Sequence, residues 1–140
     1  MRRSLLAAAL VLAAGAALAA TPSDPRRDKI LADYAAAARA ADPAFAGFSA
    51  ARGRAIYLGP HQASATIPAC ATCHTDDPRR VGQHAKTGRA IDPMAVSVTP
   101  ARFTDAAEVE KRFARDCKAV LGRTCTAQDK GDFLTFLVSQ

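Results

Sequence analysis

Three side chains within five consecutive residues, Cys70-Ala71-Thr72-Cys73-His74, have the types and spacing to do chemistry. Two thiols three positions apart can each form a thioether to one vinyl group of a single porphyrin. A histidine directly after them is placed to give the iron its axial nitrogen. The pattern therefore predicts one covalently bound haem c, with Cys70 and Cys73 as attachment points and His74 as the proximal iron ligand. Other uses of paired cysteines fit less well. A thioredoxin-like pair needs a βαβ context, and the flanking sequence is poor in β-branched runs. A structural zinc site needs a second ligand pair at matching spacing. Cys117 and Cys125 lie eight apart, with no H-x-x-x-H after them.

One histidine leaves a sixth position on the iron, and its occupant decides function. A strong ligand gives a closed electron carrier; a weak one leaves the iron open to dioxygen, nitric oxide or similar molecules. The candidates are Asp116, Met94, His84 and His61. On a helical wheel of about 100° per residue, Val109, Phe113, Asp116 and Val120 fall within a fan of roughly 60°. The Asp116 carboxylate thus shares an apolar stripe, where an unpaired charge is costly. Ferric iron would stabilise it as the distal ligand; pairing with Arg112, Arg115 or Arg123 is the alternative. Met94, in Ile91-Asp92-Pro93-Met94, is the alternative distal ligand, although methionine also serves plain packing. His84 reads as exposed or propionate-bound, and nothing in the spacing speaks for His61. Arg79, Arg80, Lys86 and Arg89 are candidates for propionate pairing.

The elements that must position these groups read as all-α. Asp24-Pro25 opens a first helix with Ile30, Leu31, Tyr34 and Ala38 at helical spacing, and Asp42-Pro43 breaks it. Ser49 caps a second, with Ser49, Gly53, Ile56 and Tyr57 on one face, and Gly59-Pro60 stops it. Residues 61–103 have poor periodicity, as expected of chain wrapping a flat cofactor, with a short helix near Cys70–Thr75. Thr104 caps a third helix ending at Gly122, a residue suited to a left-handed C-cap. Thr126 caps a fourth, with Asp129 completing a capping box and Phe133, Leu134, Phe136 and Leu137 as its apolar face.

Residues 1–20 read as a cleaved signal peptide. Arg2 and Arg3 precede the apolar run Leu5 to Leu18, and Ala17-Leu18-Ala19 is the cleavage motif. Residues 21–140 then form one small domain in an oxidising periplasm, where disulfides persist. The two cysteines not used by the haem, Cys117 and Cys125, are expected to bridge. Closing that loop is worth on the order of 2–3 kcal/mol; a redox-active pair is the alternative. Loss of Arg2 and Arg3 takes the formal charge from +6 to +4. This mild excess suits docking to an acidic redox partner and speaks neither for nucleic acid nor for membrane insertion.

Several segments in order carry a family resemblance. They are Cys70-Ala71-Thr72-Cys73-His74-Thr75, Pro78-Arg79-Arg80-Val81-Gly82-Gln83-His84, Thr87-Gly88-Arg89-Ala90-Ile91-Asp92-Pro93-Met94, Arg102-Phe103-Thr104-Asp105 and Cys117 through Thr126. Together with Val109-Glu110-Lys111 they cover about half the chain and resemble the SHP-type (sphaeroides haem protein-like) class I cytochromes c. The resemblance implies a class I cytochrome c fold around one haem and a disulfide beside the distal residue. It also implies a histidine–asparagine axial pair, binding of dioxygen or nitric oxide, and electron exchange with a dihaem cytochrome c. The cysteines and His74 carry over, but the asparagine position is Asp116 here. A carboxylate favours ferric iron and lowers the reduction potential. The expectation is a periplasmic monohaem electron-transfer cytochrome with a weakly ligated sixth site. The alternatives are an ordinary His–Met carrier using Met94 and a protein that binds or detoxifies diatomic gas. No arginine–histidine constellation pointing to enzymatic turnover stands out.

Overall fold

Local sequence chemistry starts and stops each helix of the computed structural model, which describes residues 23–140. The signal peptide expected at residues 1–20 lies outside them. Helix α1 spans Pro25–Ala41; the Asp24 carboxylate accepts the Arg26 N–H at 2.9 Å, and Pro25, lacking a donor, occupies the first turn. Helix α2 spans Ala50–Leu58, capped by the Ser49 hydroxyl and closed where the Gly59 N–H reaches the Ala55 carbonyl. Helix α3 is one turn, Ala71–His74. Helix α4 spans Ala106–Asp116 and passes directly into a π-helical turn, Cys117–Leu121. Helix α5 spans Ala127–Val138 behind the Thr126/Asp129 capping box.

Three details differ from the sequence-based expectation. The N-cap of α4 is Asp105, not Thr104: the Asp105 carboxylate accepts the Glu108 N–H at 3.0 Å, and the Thr104 hydroxyl donates to the Ala101 carbonyl instead. A carboxylate is favoured there because it also meets the positive end of the helix dipole. The last turn before Gly122 is π rather than α, although Gly122 does take the left-handed conformation, with φ 71°. Finally, residues 61–103 hold a small antiparallel ladder, β1 (Gly82–Gln83) with β2 (Ala90–Ile91), which short-range periodicity could not reveal.

The core lies where α1, α2 and α4 meet α5. Ile30 and Tyr34 of α1, Tyr57 of α2, Val109 of α4 and the Phe133, Leu134, Phe136, Leu137 face of α5 are buried together with Met94. A row of aromatic rings crosses it: Tyr34 to Phe113 at 6.2 Å, Phe113 to Phe133 at 5.7 Å, and Phe133 to Tyr57 at 6.1 Å between centroids. Among the described residues two charged side chains, Asp132 and Arg27, are buried, and both are engaged. Asp132 accepts the Ser49 N–H at 2.7 Å and the Arg52 guanidinium at 2.6 and 2.8 Å, joining α5 to the start of α2. Arg27 donates to the carbonyls of Arg102 and Pro100, joining α1 to the segment before α4.

The tightest crossing is α2 against α5, where a Cβ on Gly53 would overlap the Asp132 carbonyl and the Phe136 side chain. Gly53→Ala gains up to about 1 kcal/mol in helix propensity but forces the helices apart. A net loss of about 2 kcal/mol is expected, read as a lower midpoint in urea unfolding. An unchanged midpoint would show that the crossing adjusts freely.

Candidate functional site

Helix α3 gathers the sequence-predicted residues on a single turn. The Cys73 and His74 N–H groups both donate to the Cys70 carbonyl, at 3.2 and 3.1 Å, so both thiols and the imidazole share one rigid loop of backbone. Cys70 and Cys73 are free and half-buried. The helix ends at Thr75, a β-branched residue at φ 63° and ψ 164°, a conformation that costs on the order of 1–3 kcal/mol. Two contacts hold it. The Thr75 hydroxyl donates to the Asp77 carbonyl at 2.7 Å, and the buried Tyr57 phenol shares its proton between the His74 and Thr75 carbonyls at 2.9 and 2.8 Å. On the other side β1 presses in at Gly82, where any side chain would collide with the Cys73 carbonyl.

Burial governs the protonation of this turn. It pushes the Cys70 thiol up to about 11, and the negative charge of Asp116 adds to the effect. Burial also pushes the His74 imidazole down; the Arg102 cation acts in the same direction and Asp116 opposes it. At neutral pH the thiol and the imidazole are therefore both uncharged. The His74 Nδ1 is buried with no hydrogen-bond partner among the described residues. Arg102 is itself half-buried, so its pKa is lowered by desolvation, with Asp92 opposing. Its Nε donates to the Pro93 carbonyl at 2.9 Å and its Nη2 to the Asp92 carbonyl at 2.6 Å.

The charge of Asp116, at the end of α4, reaches this turn, raising both the Cys70 thiol and the His74 imidazole. The expectation that its carboxylate is buried in the apolar stripe is corrected: Val109 and Val120 are buried, but the Asp116 side chain is 49% exposed. Of the pairings foreseen, the one present is with Arg115, whose Nε and Nη2 donate to Oδ1 and Oδ2 at 2.5 and 3.0 Å. Arg112 pairs with Glu108 and Arg123 with Asp129 instead. The next residue, Cys117, is disulfide-bonded to Cys125 with a Cα–Cα distance of 5.8 Å, and both are buried.

The other candidates are dispersed. Met94 is buried in the core, and its N–H donates to the Pro78 carbonyl at 2.8 Å. His61 closes the end of α2 through an Nε2 contact of 2.8 Å with the Ile56 carbonyl. His84 is exposed, its Nδ1 accepting the Thr87 and Lys86 N–H groups at 3.2 and 3.3 Å in the turn between β1 and β2. Arg79, Arg80, Lys86 and Arg89 are all exposed. Among the described residues no group of three or more His, Cys, Asp or Glu side chains is arranged to hold a metal ion.

Sequence reasoning missed Tyr57 as a support of His74, and Arg102 as a cation whose charge acts on it. Tyr57 shows only as one apolar position on α2, and its carbonyl partners are 17 and 18 residues away. Arg102 sits in a segment without periodicity, so only the fold could bring it to His74.

Comparison with known proteins places this site in context. Residues 43–137 match a family described as a domain of unknown function, DUF1924. The chain is 43% identical over 132 residues to the cytochrome c-type protein SHP of Cereibacter sphaeroides, covering 94% of this chain and 97% of that protein. It is 32% identical over 114 residues to cytochrome c'' of Methylophilus methylotrophus, covering 81% and 79%. Among solved structures, oxidised SHP, an oxygen-binding cytochrome c, is similar with a TM-score of 0.73 over 81% of this chain and 96% of that one. Oxidised cytochrome c'' is similar with a TM-score of 0.72 over 81% and 93%.

The phenol of Tyr57 ties the core to the backbone of the cysteine–histidine turn. Tyr57→Phe removes it without changing the packing, and leaves two carbonyls without their donor. A loss of about 1–2 kcal/mol is expected, measured by urea unfolding. A variant as stable as the parent would show that water replaces the phenol at no cost.

Proposed function

The chain belongs to the SHP-type c-type cytochromes, and from that premise we propose that it is a periplasmic monohaem electron carrier whose sixth iron position is weakly held and open to small ligands such as dioxygen or nitric oxide. The observation that carries the reading is the pairing of an uncharged, half-buried His74 with two free thiols on one helical turn, within reach of the charge of Asp116. Those donors fit a haem better than a bare ion, since no chelating cluster accompanies them among the described residues. The description of SHP as oxygen-binding supports the small-ligand part. A solution structure of cytochrome c'', 30% identical to this chain, addresses haem-ligand detachment and supports a labile sixth position.

In this reading Cys70 and Cys73 hold one haem c through thioethers and His74 is the proximal ligand. When bound, the haem supplies an iron that exchanges one electron and offers a face to a diatomic molecule. The rest is done by the chain. Tyr57 and Gly82 fix the turn that aims His74. A neutral imidazole keeps a lone pair free to donate to metal. The negative charge of Asp116 would favour the ferric state, and its half-exposed carboxylate could part from a metal without a large desolvation cost. Met94 is occupied in core packing, which favours Asp116 over Met94 as the sixth ligand. The disulfide pins the backbone just after Asp116, while its side chain is half exposed and paired with Arg115.

The redox partner, a dihaem cytochrome c by family resemblance, would dock at the thiol edge. The segment that follows the turn bears exposed Arg79, Arg80, Lys86 and Arg89 together with an exposed Val81, and it is held to the turn by Gly82 against Cys73. A positively charged segment of this kind suits an acidic partner surface.

Optical spectra of the holoprotein with and without carbon monoxide test the reading. High-spin bands and rapid carbon monoxide binding are expected, unchanged in Met94→Ala, with a higher reduction potential in Asp116→Asn. A low-spin spectrum lost in Met94→Ala would make the protein a His–Met carrier, and an unchanged potential in Asp116→Asn would remove Asp116 from the iron. The cation near His74 has a separate signature. Arg102→Gln, which keeps a donor for the Pro93 carbonyl, should lower the potential by on the order of tens of millivolts, because a nearby positive charge favours ferrous iron. No shift would place Arg102 outside the electrostatic reach of the iron.

A further inference from the structure

Under the proposed function Asp116 has a second destination besides the iron, and the structure shows it. Neighbouring residues on a helix point about 100° apart and do not normally face each other. Yet the Arg115 guanidinium folds back so that Nε meets Oδ1 at 2.5 Å and Nη2 meets Oδ2 at 3.0 Å, a two-point grip on the carboxylate. The other cations of α4 are committed elsewhere: Arg112 to Glu108 at 2.6 Å and Lys111 to the same carboxylate at 3.5 Å. Arg123, beyond the π-helical turn, grips Asp129 at 2.6 and 3.2 Å. Arg115 alone among these reaches Asp116. It is 62% exposed, so the grip lies at the protein surface.

We propose that Arg115 is the off-iron partner of Asp116, a catch that holds the detached carboxylate and so sets how often the sixth position is open. The proposal rests on the reading of Asp116 as the labile sixth ligand and adds the residue that determines its occupancy. A neutral ligand that leaves iron needs no counter-charge. A carboxylate that leaves carries its charge with it, and a cation one residue away gives that charge a defined place. Exposed ion pairs are worth at most about 1 kcal/mol, or about fivefold in an equilibrium. Arg115 therefore tunes the occupancy and does not dictate it. Its exposure also means that replacing it leaves the core and the cysteine turn untouched.

The test is imidazole binding to the ferric holoprotein, followed by optical titration at low ionic strength. Imidazole is used because a neutral form competes for the sixth position without a direct Coulomb effect. In Arg115→Gln the carboxylate loses its alternative partner, competes harder for iron, and weakens imidazole binding by about two- to fivefold. Arg115→Lys keeps the charge and recovers part of the affinity. Asp116→Ala tightens imidazole binding, and in that background Arg115→Gln has no further effect. If Asp116→Ala tightens binding but Arg115→Gln does nothing in the parent, the catch is wrong and the sixth-ligand reading stands. If Arg115→Gln acts equally with and without Asp116, the effect is general electrostatics and the catch is again wrong. If Asp116→Ala leaves imidazole binding unchanged, the sixth-ligand reading fails and the catch falls with it.

Discussion

A phenol buried between two carbonyls decides the geometry of the site. Tyr57 has no exposed surface; its ring packs against Phe133 and Phe136 of α5, and its hydroxyl reaches the His74 and Thr75 carbonyls. Through it the aromatic row of the core ends on the backbone of the thiol-bearing turn. The strained Thr75 survives because the phenol and the Asp77 carbonyl over-determine it. A one-turn helix could not hold Cys70, Cys73 and His74 in place by its own hydrogen bonds, since so short a helix is unstable in isolation. Here α2 and α5 supply the stability, and the turn inherits their rigidity.

Charge is arranged around His74 in the same indirect way. The imidazole feels both a cation, Arg102, and an anion, Asp116, whose effects on it oppose each other. Burial decides its protonation and leaves it neutral. Arg102 is fixed by its own donors to the Pro93 and Asp92 carbonyls, and its carbonyl in turn accepts from the buried Arg27 of α1. A residue on the first helix thereby helps to place a charge next to the site, although α1 carries none of the site residues.

The helices were largely legible in the sequence because their signals are local. Asp24-Pro25, Ser49, Gly122 and the Thr126/Asp129 box act within four residues of themselves, and the structure uses each as its chemistry suggests. Thr104 misled by one position, because Asp105 beside it is the better cap. The site was half legible. The cysteine–histidine turn is contiguous, and the disulfide partners are close in sequence. Tyr57 and Arg102 reach His74 only through tertiary packing, and no periodicity records that. Asp116 shows the limit of a helical wheel. The wheel gives the direction of a Cβ, but a flexible carboxylate at a helix end can turn toward the nearest cation, and Arg115 was that cation.

The two sides of the proposed iron site are built to different tolerances. On the His74 side the backbone is held by Tyr57, Gly82 and the hydrogen bonds of α3, and the imidazole Nδ1 is buried. On the Asp116 side the backbone is pinned by the disulfide, but the side chain is half exposed with a surface partner. A rigid donor keeps its bond through a change in iron charge, because it has nowhere else to go. A mobile carboxylate with a cation in reach responds to that change: it is drawn to iron when the metal carries more positive charge and released when it carries less. Under the proposed function, the contrast between a fixed imidazole and a mobile carboxylate makes electron transfer and ligand access two readings of one equilibrium. An asparagine in the same place would be mobile too, but with no net charge it would respond to the iron's oxidation state far less. Under the proposed function the aspartate would thus couple the oxidation state to the opening of the site more strongly than the amide it replaces in the family pattern.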